Sequence, residues 1–159
     1  MKKFSLLFFV FACVAVQAQF VNQLVFKKYF TAHQVDSVLT AATGVSGVFP
    51  VTYDVKVYKV IYNTVDGDSV PTTASGLLIV PVNAPCKVPM VSYHHGTVVK
   101  KSDAPSRLKG EWFIGLAAAS KGYVALEPDY LGLGDGPGLH PYQHAHSEAT
   151  SVIDLIRAA

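Results

Sequence analysis

The chain has 159 residues, a formal net charge of +2, 50% hydrophobic residues, 15% charged residues and only two cysteines. This composition excludes an intrinsically disordered chain, which needs low hydrophobicity and high net charge, and a small scaffold built on disulfides. It also lacks the strong basic excess of a nucleic-acid binder, so we expect no nucleic-acid partner. We expect a globular protein that is stabilised by a packed core.

The first 18 residues have the pattern of an export signal. Lys2 and Lys3 precede an apolar run over 4–16, and Val16-Gln17-Ala18 supplies the small residues of a signal-peptidase site. The apolar run is shorter than the ~20 residues of a membrane-spanning helix. We therefore predict a signal peptide over 1–18, cleavage after Ala18 and a secreted or periplasmic protein without a stable membrane span.

The two cysteines bear on the same prediction. A lipoprotein lipidated at Cys13 is the less favoured alternative, because the bulky Phe11 stands close to the cleavage position. If Cys13 leaves with the signal, Cys86 has no partner within the chain, and pairing with a cysteine elsewhere in the protein stays open. Loss of Lys2 and Lys3 would leave as many basic as acidic side chains, so no polyanionic partner is implied.

Residues 31–82 predict a helix followed by an antiparallel ribbon. The helix begins at Thr31 and ends before Gly44, because apolar residues recur between them at spacings of three and four. Alternating residues over 53–65, a turn at Asp66-Gly67 and a returning strand over 75–82 indicate the ribbon. This helix is the first ordered element that the pattern predicts.

From residue 88 onward, short apolar strands alternate with helices. We predict buried strands over 88–93 and 123–126 and helices over 111–121 and 147–159. Strands that are hydrophobic throughout are typical of a parallel sheet covered on both faces. The last helix is predicted to be apolar on the face formed by Ala149, Val152, Ile153 and Ile156. The fold class is therefore α/β, with an N-terminal antiparallel ribbon followed by a parallel sheet with flanking helices.

The final predicted helix reaches Ala159 without a capping glycine, a proline or a polar tail. A helix that follows a parallel strand normally delivers the chain to the next strand. We therefore expect residues 19–159 to be the N-terminal part of a single larger domain.

Two stretches follow the predicted strands at the edge of the sheet where open α/β folds bind ligands. Tyr93-His94-His95-Gly96-Thr97 comes after the first strand, and its glycine could turn peptide N–H groups toward a cavity and stabilise an oxyanion. An ordinary tight turn explains this stretch equally well. Residues 127–138 follow the second strand and carry four glycines, which allow positive φ beside the same cavity.

Two motif matches fail on inspection. The glycine stretch does not match the dinucleotide fingerprint G-x-G-x-x-G, because Pro137 or Leu139 stands at the last glycine position. Ser69 lacks the final glycine of the G-x-S-x-G nucleophile motif and follows the predicted hairpin turn, so we interpret it as a turn residue. We expect no cofactor.

A group of histidines precedes the last helix. His140, His144 and His146 lie near Glu148 in the sequence, but Pro141 makes a helix through the first two unfavourable. We therefore favour helix capping and loop hydrogen bonds as their role over a metal site.

Several segments, taken in order, resemble the secreted lipase/esterase branch of the α/β-hydrolase superfamily. They are Tyr53–Tyr58, Ser75–Pro81, Tyr93–Thr97, Gly122-Tyr123, Pro128–Gly132, His140–Tyr142 and the helix Glu148–Ala159. The resemblance covers nearly all of residues 19–159 and implies a truncated α/β-hydrolase fold.

The resemblance also implies roles for individual residues. Gly96 and Thr97 would form part of an oxyanion hole, with the Thr97 N–H as the preferred donor. The residues implied to support this loop or to line the pocket are His94, His95, Asp129 and Tyr130.

The activity that the resemblance implies is hydrolysis of carboxylic esters through an acyl-enzyme on a serine. Its nucleophile elbow would follow the last helix, so the Ser/Asp/His triad is expected beyond Ala159 and this chain alone is expected to be inactive. Lipids, acetylated polysaccharides and small esters stay open as substrates, as does the oligomeric state. The alternative is a secreted, non-catalytic protein that binds a metal or a surface through residues 140–148.

Overall fold

The computed structural model describes residues 21–85 and 87–159. The predicted signal peptide with its cleavage site, Cys13 and Cys86 lie outside the described residues. The elements, in chain order, are β1 (Val21–Phe30), α1 (Ala32–Thr43), β2 (Val55–Val65), β3 (Pro71–Pro81), β4 (Met90–Ser92), α2 (Phe113–Ser120), β5 (Val124–Pro128) and α3 (Ala145–Ala158). Two 3-10 turns, Lys101–Asp103 and Pro105–Arg107, lie between β4 and α2.

The five strands form one mixed sheet in the order β1-β2-β3-β5-β4. Strands β1, β2, β3 and β5 pair in antiparallel fashion, whereas β4 and β5 are parallel. The predicted ribbon is confirmed, since β2 and β3 pair along their whole length from Val55↔Pro81 to Val65↔Pro71. The α/β fold class is confirmed as well.

Strand alternation divides the core between the two faces of the sheet. In β3, Leu77 and Ile79 pack on one face with α1 and α2, whereas Leu78 packs on the other face with Leu155 of α3. The same separation holds in β5 for Ala125 and Leu126. Helices therefore cover both faces of the sheet, as the hydrophobic strands predicted.

The limits of α1 follow from its local sequence. The Thr31 hydroxyl accepts the Gln34 N–H, and the Gln34 side chain accepts the Thr31 N–H, which forms a complete capping box. Gly44 ends the helix with φ +75° and donates its N–H to Thr40 O. Both predicted ends of this helix are confirmed.

The hairpin turn between β2 and β3 is also as predicted. Asp66 Oδ1 accepts the N–H groups of Asp68 and Val70, each at 2.9 Å. Ser69 has φ +64° inside this turn and donates its N–H to Asp66 O. The interpretation of Ser69 as a turn residue is confirmed.

The structure corrects two predictions about strands. Helix α1 is not the first ordered element, because β1 precedes it; this edge strand buries little besides Phe30, so its sequence shows no clear alternation. The prediction of a buried strand over 88–93 is wrong for β4, whose Met90 is 47% exposed. Strand β4 also lies at an edge of the sheet and pairs only with β5 among the described strands.

The predicted apolar face of α3 is not the face that packs against the sheet. The helix buries Ser147, Ser151 and Leu155 against the sheet, whereas Ile153 and Ile156 are 46% and 40% exposed. The small serine side chains let the helix lie close to β2. Hydrophobic periodicity could not identify this face, because two of its three buried positions are polar.

The contacts of α3 with the sheet explain the choice of face. Tyr62 is fully buried and donates its O–H to Ser151 O at 2.8 Å. Gly76 leaves room for Leu155, since a Cβ at this position would come within 2.7 Å of Leu155 Cδ2. No helix within the described ranges is long and apolar enough to cross a membrane.

Candidate active site

The two stretches predicted to carry chemistry meet at one edge of the sheet. Residues 93–97 follow β4, and the stretch that begins at Asp129 follows β5. Because β4 and β5 are parallel, their carboxyl ends lie side by side, and Tyr93 N–H still donates to Leu126 O at 2.8 Å. The topology thus brings together the loops that the sequence predicts to face a ligand.

Two small cavities flank the loop 95–98. One has a volume of about 210 Å³ and is lined from across the loop by Tyr130, His140, Tyr142 and Glu148. The other has a volume of about 140 Å³ and extends toward Lys109 and Glu111. Gly96 and Thr97 line both cavities.

His95 is the buried member of this loop, with 9% of its surface exposed. Its Nδ1 lies 2.7 Å from Gly96 O. A carbonyl oxygen only accepts, so Nδ1 carries the proton. The ring packs edge-on against Tyr130 with centroids 4.8 Å apart, and its Nε2 is buried without a hydrogen-bond partner among the described residues. His95 therefore links the Gly96 carbonyl to the Tyr130 ring.

The exposed residues Gly96 and Thr97 contact side chains from outside the loop. Gly96 donates its N–H to Glu111 Oε2 at 3.1 Å, and the Thr97 hydroxyl lies 3.0 Å from the Tyr142 hydroxyl. His94 is also exposed, and its Nε2 lies 3.1 Å from Ser92 Oγ. Gly96 forms its contact through the backbone N–H, whereas Thr97 and His94 form theirs through side-chain atoms.

Glu111 is a site residue that sequence reasoning missed. Its Oε2 accepts both the Gly96 N–H and the Tyr93 hydroxyl, the latter at 2.7 Å. The Tyr93 and Gly96 hydrogen bonds hold the pKa of Glu111 below its ordinary value, so this carboxylate is charged. The hydrogen bond between Tyr93 and Glu111 also raises the pKa of the Tyr93 hydroxyl to about 12. No local pattern marks Glu111, because its partners lie 15 and 18 residues earlier in the chain.

Tyr130 is the centre of an aromatic group at the floor of the larger of these two cavities. Its ring contacts His95, stacks with His140 at 6.3 Å and meets the edge of His94 at 6.5 Å. The residue has φ +67°, an uncommon conformation for a residue with a side chain. The backbone after β5 is thus held in a shape that points this ring toward the loop at 93–97.

Asp129 lies behind Tyr130 and is fully buried. Its carboxylate accepts the Ser75 hydroxyl at 2.5 Å and the Ser106 N–H at 2.8 Å. Burial raises the pKa of Asp129, and these hydrogen bonds oppose the shift. Asp129 therefore connects β3, the 3-10 turn at Pro105–Arg107 and the end of β5 beneath the site.

The glycine stretch takes the positive φ values that its composition predicts. Gly132, Gly134 and Gly138 have φ of +73°, +55° and +74°. A Cβ at Gly132 would overlap the backbone of Leu139 and His140, and one at Gly134 would overlap Asp129 Oδ2 and Ser75 Oγ. Glycine is needed at these two positions for space as well as for φ.

Ion pairs attach the same stretch to the ribbon. Asp135 accepts from Lys59 of β2 and from Arg107, and Lys101 Nζ donates to Gly136 O at 2.7 Å. Burial by itself would raise the pKa of Asp135, but Lys59 and Arg107 hold it below its ordinary value. Two ion pairs and one hydrogen bond therefore hold the glycine stretch at residues 135 and 136.

Two of the histidines before α3 have the structural roles that the sequence favoured. His140 Nδ1 lies 2.9 Å from Leu131 O, and His144 caps α3 by accepting the Ser147 N–H. His146 lies on the exposed first turn of α3. Among residues 21–85 and 87–159, no three His, Cys, Asp or Glu side chains form a group that could hold a metal ion.

The mixed sheet with helices on both faces, and with its candidate site at the carboxyl ends of the parallel strands, is an α/β-hydrolase-like fold. A presumed hydrolase of Legionella pneumophila superposes with a TM-score of 0.79 at 35% identity over 87% of this chain. The rice cell wall degrading esterase LipA of Xanthomonas oryzae superposes with a TM-score of 0.73 at 29% identity over 89% of the chain. These matches span 38% and 37% of the two structures.

A third structure shows the fold alone. Candida antarctica lipase A superposes with a TM-score of 0.50 at 13% identity, over 89% of this chain and 31% of the lipase. No protein-family model matches the chain, and neither does any curated protein sequence.

Proposed function

We propose that this chain is the N-terminal part of a secreted carboxylic ester hydrolase that works through an acyl-enzyme. The observation that carries the proposal is the loop after the carboxyl end of β4 in a hydrolase-like fold, where Gly96 and Thr97 line two cavities. The likeness to LipA, an esterase, supports an ester as the substrate. The predicted signal peptide over 1–18 supports export.

The chemistry divides between this chain and residues beyond Ala159. In the proposed reaction a serine hydroxyl adds to the ester carbonyl while a histidine takes its proton, and an acidic residue fixes the tautomer of that histidine. The tetrahedral oxyanion then collapses, the alcohol leaves with the proton from the histidine, and water hydrolyses the acyl-enzyme by the same steps. The role of this chain is to supply one donor to the oxyanion through the Thr97 N–H.

The remaining site residues of this chain shape the pocket. The Tyr130 ring packs against His95 and contacts the His94 ring, while Asp129 holds the backbone from which Tyr130 projects.

The test compares two proteins that differ in length. We compare the full-length protein, expressed from the complete reading frame, with the 19–159 chain. Each is purified and assayed with p-nitrophenyl acetate and p-nitrophenyl butyrate. Each is also treated with a fluorophosphonate that labels activated serines. We expect turnover and labelling of the full-length protein and neither for the 19–159 chain. Serine-dependent turnover by the short chain, or an inactive and unlabelled full-length protein, would contradict the proposal.

A further inference from the structure

We infer that Glu111 and His95 are positioning residues that fix the two peptide groups on either side of Gly96, and thereby select the Thr97 N–H as the oxyanion donor. This inference rests on the proposed function. It assigns a role to Glu111, which no sequence motif identifies, and it separates the two candidate donors, Gly96 and Thr97. Three features of the loop lead to it.

The first feature is the peptide group between His95 and Gly96. Its N–H donates to Glu111 Oε2 at 3.1 Å, and the carboxylate is charged because its pKa is held below the ordinary value. Hydrogen bonds to a charged acceptor are about twice as strong as neutral ones. The Gly96 N–H is therefore already bound within the protein, and it is not free to donate to a substrate oxygen.

The second feature is the peptide group between Gly96 and Thr97. Its carbonyl oxygen accepts from Nδ1 of the buried His95 ring at 2.7 Å. The peptide is trans, so the Thr97 N–H points away from the carbonyl and hence away from His95. This bond fixes the direction of the Thr97 N–H, and Thr97 lines both of the cavities beside the loop.

The third feature explains why side chains are needed for this task. Gly96 is exposed, and a Cβ at this position would find no atom closer than the Glu111 oxygens at 3.9 Å. Glycine explores more backbone conformations than any other residue, and packing does not restrain it here. Without the two hydrogen bonds, the peptide groups beside Gly96 would be free to rotate, and the donor would lose its fixed direction.

Tyr93 completes the arrangement by orienting Glu111. Its hydroxyl donates to the same Oε2 that accepts the Gly96 N–H, at 2.7 Å. After β4, one carboxylate oxygen of Glu111 therefore binds both the Tyr93 hydroxyl and the Gly96 N–H, and His95 binds the Gly96 carbonyl. A preorganised donor is worth more in a transition state than one that must be ordered during the reaction.

The experiment uses five variants of the full-length protein and measures kcat and KM with p-nitrophenyl acetate. Glu111→Ala and His95→Ala remove the two contacts, and we expect each to lower kcat by roughly 10–100-fold with a much smaller change in KM, because the oxyanion exists only in the transition state. Glu111→Gln keeps an acceptor and His95→Asn keeps a donor at the position of Nδ1, so both should retain most of the rate. Asp36→Asn, on α1, is the matched carboxylate control.

A second readout does not depend on activity. The amide proton of Gly96 in the NMR spectrum should move upfield in Glu111→Ala, which removes its charged acceptor, and the Thr97 amide should move in His95→Ala; Asp36→Asn should move neither. Thermal melts show whether each variant is folded.

The outcomes separate this inference from the proposed function. An inactive wild-type protein would contradict the proposed function, and the amide resonances would still decide whether the two contacts fix the loop. The inference is overturned if both alanine variants keep the wild-type kcat, or if Glu111→Gln and His95→Asn lower kcat as much as the alanine variants do. It is also overturned if the Gly96 amide does not move in Glu111→Ala and the Thr97 amide does not move in His95→Ala.

Discussion

Glu127 is a buried carboxyl group whose hydrogen bonds are incomplete. Its side chain is fully inaccessible; Oε1 accepts the Gly115 N–H at 2.7 Å, while Oε2 has no partner within the described residues. Burial raises the pKa of Glu127 to about 8, and the nearby Asp129 and Glu111 carboxylates add to the shift. The neighbouring Asp129 is equally buried, but its carboxylate accepts two hydrogen bonds. The two acidic residues at the end of β5 therefore differ in how many hydrogen bonds their side chains accept.

This difference predicts a pH dependence of stability that comes from Glu127. Below its ordinary pKa of 4.5 the group is protonated in both the folded and the unfolded chain. Between pH 4.5 and about 8 the unfolded chain releases the proton while the folded chain keeps it, so the free energy of unfolding falls by up to about 1.4 kcal/mol per pH unit. Glu127→Gln mimics the neutral form and should remove this part of the decline.

Urea denaturation of both proteins at pH 5, 6, 7 and 8 measures the effect. The informative quantity is the difference in unfolding free energy between wild type and variant, which should grow in favour of Glu127→Gln as the pH rises. Asp36→Asn, on α1, is the matched acid-to-amide control. Parallel curves for wild type and Glu127→Gln would contradict a neutral Glu127.

At the scale of elements, the glycine stretch after β5 offers a matched pair of substitutions. Gly134 and Gly138 both have positive φ, but a Cβ at Gly138 would meet nothing within 4 Å, whereas one at Gly134 would overlap Asp129 and Ser75. Gly138→Ala should cost about 1–2 kcal/mol of unfolding free energy from backbone strain alone. Gly134→Ala should cost a further ~1–3 kcal/mol, because the buried Asp129 and Ser75 must move.

Thermal or urea denaturation of the two variants gives this comparison directly. Equal losses for Gly134→Ala and Gly138→Ala would mean that the loop relaxes away from Asp129 at no cost. A larger loss at Gly134 would show that the loop and the Asp129 hydrogen bonds form one packed unit.

The sequence best predicts the elements that are determined by interactions between residues close together in the chain. Thr31 and Gly44 set the limits of α1 through bonds to residues three or four positions away, and the turn at Asp66 is made by its own side chain. Strand β1 has no such local signal, since it is an edge strand with mostly exposed side chains. The buried face of α3 depends on the room that Gly76 leaves for Leu155, which is a contact across the sheet.

The same division applies to the candidate site. The chain order of strands and loops was enough to predict that residues 93–97 and the stretch after β5 lie together. The partners of that loop were not predictable, because Glu111 and Tyr142 reach it from positions 15 and 45 residues later in the chain, and only the folded backbone brings them there.

At the scale of the whole molecule, the described residues form a core on each face of the sheet, and β3 contributes to both. Leu116 of α2 belongs to one core and Leu155 of α3 to the other, and both are fully buried. Strand β3 contributes Leu77 and Ile79 to the first core and Leu78 to the second. Because consecutive residues of one strand serve both cores, we expect the two faces of the sheet to unfold together.

Native-state hydrogen exchange tests this coupling. Leu155→Ala should lower the free energy of unfolding by about 2–5 kcal/mol. If the molecule is one cooperative unit, the slowest amides of α2, on the far face, should lose the same amount as those of β3. Leu116→Ala is the reciprocal variant and should accelerate exchange in α3 to the same extent. If Leu155→Ala changed exchange in α3 alone, the last helix would open independently of the sheet, and the two faces would be separate folding units.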